Sequence, residues 1–162
     1  MYTSTPSRIA APAPVRIVLV CRGNTCRSPM AEGMCRQMLA ERGLSGVVEV
    51  SSAGTKDQPG KPASENAALV VPGLEEHRTK TFGPDEATAD YVWAMTADNL
   101  KAVLPTAPHA ELLLGDSEVP NPFGSDLDTY ASTAAVIRRG LESRLDEVAA
   151  EIGSDSDNAS AT

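Results

Sequence analysis

VLVCRGNTCRSP, residues 18–29, is the stretch that decides the fold of this chain. The apolar run from Val15 to Val20, interrupted only by Arg16, predicts a strand that is buried on both faces. Ser28 and Pro29 predict the start of a helix, with Ser28 as the N-cap and Pro29 at the first helical position. A very tight loop, residues 22–27, must therefore join the strand to the helix.

This loop has the composition of an oxyanion-binding loop. Gly23 and Asn24 tolerate positive φ angles, which allow the backbone to curl until its N–H groups point inward. The helix N-terminus adds partial positive charge, and Arg27 adds a planar guanidinium that matches two phosphate oxygens. The residues predicted to bind phosphate are Arg22, Gly23, Asn24, Thr25, Cys26, Arg27 and Ser28.

Cys21 is the candidate nucleophile because it ends the predicted strand directly before the loop. The loop amides, the helix dipole and the Ser28 hydroxyl would favour its thiolate over its thiol. The plainer alternative is a buried cysteine beside a surface arginine. The complete string, with Gly, Asn, Ser and Pro all in place, favours the catalytic interpretation.

Length and charge limit the classes of protein to consider. The 162 residues suit one domain, and the net charge of -8 argues against nucleic acid or an anionic membrane as the main partner. No apolar run is long enough to span a membrane, and residues 1–14 lack the basic start of a signal peptide. Three cysteines, an odd number, predict free thiols in a reducing compartment. We therefore expect a cytoplasmic protein.

Strands that alternate with helices predict parallel βαβ units in an α/β fold, with ligand sites at the carboxyl ends of the strands. The predicted strands cover residues 15–20, 47–52, 91–95 and 111–114. The predicted helices cover residues 28–42, 62–71, 84–89, 98–104 and 127–152. Residues 15–152 form one predicted domain, while residues 1–14 and 153–162 are expected to be disordered tails.

Several candidate residues have a structural interpretation. Cys35 lies on the inner side of the first helix and is expected to be a buried thiol. His77 and His109 stand alone and are expected to be solvated or structural. Cys21 and Cys26 lack partner Cys or His pairs, so no zinc site is predicted. The residues of the first helix that are expected in the core are Met30, Met34 and Met38.

These motifs resemble the low-molecular-weight protein-tyrosine-phosphatases, including their protein-arginine-phosphatase branch and the related arsenate reductases. The resemblance covers residues 15–152 and rests on residues 20–32, 52–55, 94–96 and 122–124. It implies a three-layer fold with a four-stranded parallel sheet in the order 2-1-3-4 and helices on both faces. It also implies hydrolysis of phosphorylated protein side chains through a phosphocysteine on Cys21, without metal or cofactor.

The residue before Pro122 departs from the family pattern. The resemblance places an aspartate there, which protonates the departing atom and later deprotonates the attacking water, but this chain has Asn121. Three explanations are open: a mutation introduced to trap a phosphoprotein, a natural variant that is slow or only binds, or another carboxylate that acts instead. The first two are favoured. The spare carboxylates are Asp116, Glu118, Asp126 and Asp128.

The resemblance also bears on specificity and redox chemistry. Thr25 replaces a bulky aliphatic residue of many tyrosine-specific relatives, and both Thr25 and Phe123 match the arginine-phosphatase branch. The curl of the loop is expected to bring Cys26 close enough to Cys21 for a reversible disulfide, although Cys26 could simply fill the loop.

Three functions remain open at this point. The leading hypothesis is a phosphatase acting on phosphotyrosine or phosphoarginine in a protein, with inorganic phosphate or another oxyanion as a ligand of the loop. The alternatives are a phosphoprotein-binding module and an arsenate reductase. No cysteine follows Cys35, which counts against the arsenate reductase because that reaction needs further resolving thiols.

Overall fold

Four parallel strands form the centre of the computed structural model, which describes the backbone of residues 13–161 and the side chains of residues 13–153. The strands are β1 (Val15–Cys21), β2 (Val48–Gly54), β3 (Tyr91–Ala94) and β4 (Glu111–Leu112). Their order is β2-β1-β3-β4, which confirms the predicted topology. Cys21 pairs in register with Gly54, and Val20 pairs with Ala94. The carboxyl ends of these strands therefore meet at one edge of the sheet.

Helices cover both faces of the sheet. They are α1 (Arg27–Glu41), α2 (Glu65–Val70), α3 (Pro84–Ala87), α4 (Ala97–Val103) and α5 (Leu127–Ala161). Because side chains of β1 alternate between the faces, Leu19 packs in one core with α1 and α5, whereas Val18 packs in a second core with Val103 of α4. The fold is thus the predicted three-layer α/β arrangement.

The two core-facing helices behave as their apolar spacing predicts. Met30, Met34 and Met38 of α1 are all buried. In α5 the apolar or small residues that recur every three or four positions are buried from Tyr130 to Val148, and Ile152 is half-buried. Both sets belong to one hydrophobic cluster, so α1 and α5 pack side by side against the sheet.

The start of α1 differs from the prediction. The helix begins at Arg27, and its N-cap is Cys26, whose side chain makes no capping hydrogen bond. Ser28 and Pro29 therefore lie at the second and third helical positions, and the predictions of Ser28 as the N-cap and of Pro29 at the first helical position are wrong. The Ser28 hydroxyl is already occupied by Cys21 and Asn24, so it cannot cap the helix.

Other element ends shift by a few residues. The Ser64 side chain accepts the Ala67 N–H and starts α2 later than Pro62. Gly115, at φ 81°, turns the chain soon after β4, which is shorter than predicted. The last helix continues to Ala161, so its predicted end at Ile152 is wrong. Extending a formed helix costs far less than starting one, and no proline interrupts residues 153–161.

The predicted N-terminal tail, residues 1–14, lies outside the described residues except for its last two positions. None of the helices in the described part of the chain is long and apolar enough to cross a membrane. Over the same residues, the structure contains no group of three or more His, Cys, Asp or Glu side chains that could hold a metal ion.

Candidate active site

The loop between β1 and α1 has one residue with a positive φ angle. Asn24 adopts φ 58°, as predicted, but Gly23 is not among the positive-φ glycines, so that part of the prediction is wrong. Instead, the flexible side chain of Gln58 limits the space beside Gly23. A Cβ atom at Gly23 would lie 3.0 Å from Nε2 of Gln58, which donates a hydrogen bond to the Gly23 carbonyl at 2.9 Å.

Asn24 ties the loop to three other segments. Its side chain is fully buried, and Nδ2 donates to Oγ of Ser28 at 2.8 Å and to Oγ of Ser52 at 3.0 Å. Its Oδ1 accepts the Lys80 N–H at 2.9 Å, and its carbonyl lies 2.8 Å from Nε2 of His77. The left-handed conformation is therefore fixed by neighbours on every side. His77 has the structural role that was predicted for it.

The sulfur of Cys21 is surrounded by hydrogen-bond donors. It accepts the Asn24 N–H at 3.2 Å and lies 3.0 Å from Oγ of Ser28. Because Ser28 already accepts the Asn24 amide, its own hydrogen is free to point at the sulfur. Ser52 donates to a carboxylate oxygen of Glu32 at 2.6 Å, which leaves the Ser52 oxygen to accept from Asn24. This chain of hydrogen bonds directs a hydroxyl donor at the candidate nucleophile.

Arg27 is the buried cation of the site. Its side chain is 7% exposed, and Nη1 donates to the Val119 carbonyl at 3.1 Å. Among the described residues it forms no ion pair. Within the part of the chain that the structure describes, its other N–H groups donate no hydrogen bond either, as expected of an arginine that receives an anion.

A cleft of about 580 Å³ opens at this loop. Asn24 and Ser28 do not line it, because both side chains are buried beneath the loop. The predicted site residues that do line it are Cys21, Arg22, Gly23, Thr25, Cys26, Arg27, Asn121 and Phe123. The structure therefore brings together in one cleft the nucleophile candidate, the arginine and the segment that departs from the family pattern.

Asn121 is exposed at this cleft, and its Oδ1 accepts the Phe123 N–H at 3.1 Å. The side-chain amide can donate a hydrogen bond, but it has no proton to deliver. None of the residues that line the cleft is an aspartate or a glutamate. The cleft therefore holds no carboxylate at the position where the resemblance requires an acid.

Two of the spare carboxylates have other partners. Glu118 accepts the Ala97 N–H at 2.7 Å, at the start of α4. Asp126 accepts both the hydroxyl and the N–H of Thr129, and these hydrogen bonds lower the pKa of the Asp126 carboxyl. Asp126 thus acts at the start of α5. These contacts argue against substitution of either group for the missing acid.

The remaining two cysteines have different surroundings. Cys35 is fully buried, and this burial raises the pKa of its thiol to about 12, as expected for a core residue. Cys26 is also buried, but its sulfur lies 3.3 Å from the Tyr130 hydroxyl and 3.4 Å from Oγ of Ser64. Burial, followed by the contact with Cys26, raises the pKa of Tyr130. All three cysteines, Cys21 included, are free thiols.

Sequence reasoning placed Glu32, Ser52 and Gly54 in motifs of the family but missed their supporting roles, and it missed Gln58. Ser52 and Glu32 orient the hydroxyl chain, and Gln58 holds the loop carbonyl. A Cβ atom at Gly54 would lie 2.7 Å from the Arg22 carbonyl, so only glycine fits beside the loop. Ser52 and Gly54 lie at the end of the strand next to β1, and this position in the sequence could have indicated that they contact the loop.

The sequence and the fold are similar to those of known proteins. The family model described as low molecular weight phosphotyrosine protein phosphatase matches residues 16–155. A protein-arginine-phosphatase of Geobacillus stearothermophilus is 33% identical over 86% of this chain and 97% of its own length. The low molecular weight protein-tyrosine phosphatase A of Mycobacterium tuberculosis is 32% identical, with the same coverage of each chain. The crystal structure of a low molecular weight protein tyrosine phosphatase from T. tengcongensis superposes with a TM-score of 0.76 at 29% identity, covering 82% of this chain and 99% of the other.

Proposed function

Since this chain belongs to the low molecular weight phosphotyrosine protein phosphatase family, we propose that it hydrolyses phosphotyrosine or phosphoarginine side chains of proteins through a phosphocysteine on Cys21. One observation carries the proposal. The Cys21 sulfur, with the Asn24 N–H and the Ser28 hydroxyl directed at it, lines the same cleft as the unpaired guanidinium of Arg27. A thiolate and an anion-binding fork in one cleft are what covalent phosphoryl transfer requires.

In the first step the Cys21 thiolate attacks phosphorus. A sulfur–phosphorus bond forms, the phosphorus–oxygen bond to tyrosine or the phosphorus–nitrogen bond to arginine breaks, and its electron pair leaves with that atom. The loop N–H groups and Arg27 hold the other phosphate oxygens as charge develops on them. The leaving oxygen or nitrogen must then gain a proton.

In the second step a water molecule attacks the phosphocysteine. The phosphorus–oxygen bond forms, the sulfur–phosphorus bond breaks, and the thiolate of Cys21 returns as inorganic phosphate leaves. A carboxylate beside Pro122 would supply the proton in the first step and accept the water proton in the second. Asn121 can do neither, so both steps are expected to be slow by a factor on the order of 10² to 10⁴.

Asn121 also favours a second candidate function, a phosphoprotein-binding protein with little turnover. The cleft retains the anion-binding groups but contains no carboxylate among its lining residues. Binding of a phosphorylated side chain depends on Arg27 and the loop amides, and it does not need the acid. Inorganic phosphate should then compete with the phosphoprotein for the loop.

For the substrate, we propose a preference for phosphoarginine over phosphotyrosine. Thr25 is half-buried and lines the cleft, and its small polar side chain leaves room for a guanidinium and can hydrogen-bond to it. Phe123 at the same cleft is 71% exposed and offers an apolar wall to the substrate stem. One relative of similar length is named a protein-arginine-phosphatase.

The test is the release of inorganic phosphate from matched phosphotyrosine and phosphoarginine proteins. We expect slow release by this chain, an increase of about 10²-fold or more with Asn121→Asp, and none with Cys21→Ser. An acidic limb should appear in the pH profile of Asn121→Asp only. Tight binding with no release, even by Asn121→Asp, would favour the binding protein. Release by Cys21→Ser would refute the proposed nucleophile.

A further inference from the structure

The candidate cleft carries more positive charge than one phosphate group needs. Although the chain has a net charge of -8, four basic residues and no acidic residue line this cleft. Within the described residues, none of these four forms an ion pair, whereas several basic residues elsewhere do. The four are Arg22, Arg27, Lys56 and Lys61.

Of these four residues, only Arg27 is buried. Arg27 starts α1 and is 7% exposed, whereas Arg22, Lys56 and Lys61 are exposed at the cleft. We call these three residues the basic rim. The Lys61 ammonium lies 3.4 Å from the Gln58 side-chain oxygen, a weak contact that leaves its charge unneutralised. The four cations together carry a charge of +4, whereas a bound phosphate group carries about -2, so part of the charge of the basic rim stays uncompensated.

The basic rim is held close to the phosphate site by backbone contacts. The Lys56 N–H donates to the Arg22 carbonyl at 2.9 Å, and the Ser64 N–H donates to the Thr25 carbonyl at 2.8 Å. The segment that carries Lys56 and Lys61 is thus attached to the loop at both ends. The positive charges of the rim are therefore placed around the mouth of the cleft before any ligand arrives.

We propose that the basic rim binds acidic side chains that flank the phosphorylated residue, so that the preferred substrates are phosphoproteins with Asp or Glu near that residue. This proposal rests on the proposed function and narrows its substrate class. A single exposed ion pair contributes little, but three unpaired cations around one opening create a local positive field on an acidic protein. That field attracts acidic segments and disfavours basic ones.

The experiment measures binding and therefore does not depend on Asn121. Two peptides carry a hydrolysis-resistant phosphonate in place of the phosphorylated residue and differ only in two flanking positions, Glu in one and Gln in the other. Each of the two peptides is made once with a phosphotyrosine mimic and once with a phosphoarginine mimic. The comparison uses the mimic whose peptides bind more tightly. We expect the Glu peptide to bind roughly 3- to 10-fold more tightly at low salt, and the difference to shrink at about 0.5 M salt.

A double variant and a matched control show whether the lysines of the basic rim cause the difference in affinity between the two peptides. In the double variant Lys56→Gln, Lys61→Gln, which keeps only Arg22 of the basic rim, the Kd of the Gln peptide divided by that of the Glu peptide should fall most of the way towards 1. Lys101→Gln is the control, because Lys101 is exposed on α4 and unpaired within the described residues, but does not line the cleft. This control should keep the full ratio. A ratio that persists in the double variant would overturn the proposal.

Binding of inorganic phosphate distinguishes failure of the acidic-flank proposal from failure of the proposed function. If both peptides bind equally and phosphate displaces both, the acidic-flank proposal is wrong while the proposed function stands. If neither peptide binds and phosphate does not bind either, the proposed function itself fails, and the substrate class fails with it.

Discussion

Replacement of Asn24 should destabilise the whole phosphate loop. Asn24→Ala removes three buried side-chain hydrogen bonds, to Ser28, Ser52 and the Lys80 N–H. Each contributes about 1 kcal/mol, and a non-glycine residue without a hydrogen-bonding side chain at φ 58° costs about 1 kcal/mol more. We therefore expect the free energy of unfolding to fall by roughly 4 kcal/mol.

Two further variants separate these contributions. Asn24→Gly loses the same hydrogen bonds but accepts the positive φ angle, so it should be about 1 kcal/mol more stable than Asn24→Ala. Asn66→Ala is the control, because Asn66 makes one hydrogen bond of 3.3 Å to the Ser125 carbonyl and should cost about 1 kcal/mol or less.

The assay is urea unfolding followed by the fluorescence of Trp93, the single tryptophan, with and without inorganic phosphate. Phosphate should stabilise the starting protein and Asn66→Ala, but not Asn24→Ala, whose loop amides are no longer held in place. A cost for Asn24→Ala no greater than that for Asn66→Ala would refute the claim that this network holds the loop.

Three further predictions concern the other side chains of the site and the core. Burial raises the pKa of Cys35 from 9.0 to about 12, so ionisation of this thiol favours the unfolded state. The free energy of unfolding should therefore fall as the pH rises from 9 towards 12, and Cys35→Ala should remove the part of this fall that comes from Cys35. Mild peroxide should link Cys21 to Cys26, as peptide mapping would show, whereas a Cys21 sulfonic acid that appears first would contradict a protective disulfide. Thr25→Ile should shift the ratio of kcat/KM values from phosphoarginine towards phosphotyrosine, and an unchanged ratio would remove Thr25 as a specificity residue.

The sequence was informative where physical signals are local. A buried strand followed by a short loop and a helix located Cys21 and Arg27 at the carboxyl edge of the sheet, and alternating elements predicted the parallel arrangement. The strand order came from the family resemblance, because spacing alone does not determine which strands are neighbours.

The error at Ser28 has its origin in contacts between distant segments. Ser28 looks like an N-cap in sequence, but Asn24 and Cys21 occupy its hydroxyl, and Asn24 is itself held by Ser52. These partners lie on different elements, and one of them is 28 positions from Asn24. A residue's local preference cannot reveal which distant group will occupy its side chain, so the network becomes visible only in three dimensions.

The central claim is that Cys21 carries the phosphoryl group, and the most direct measurement is detection of the phosphocysteine. The chain is mixed with a phosphorylated protein substrate, quenched in acid, and mapped by mass spectrometry for a phosphoryl group on the peptide that contains Cys21. We predict a phosphoryl group on Cys21 in both this chain and Asn121→Asp. With an activated aryl phosphate, whose leaving group needs no proton, only hydrolysis of the intermediate is slowed by Asn121, so the intermediate should accumulate in this chain and be depleted in Asn121→Asp. Phosphate release with no phosphoryl group on Cys21 at any time point, in either protein, would contradict the account.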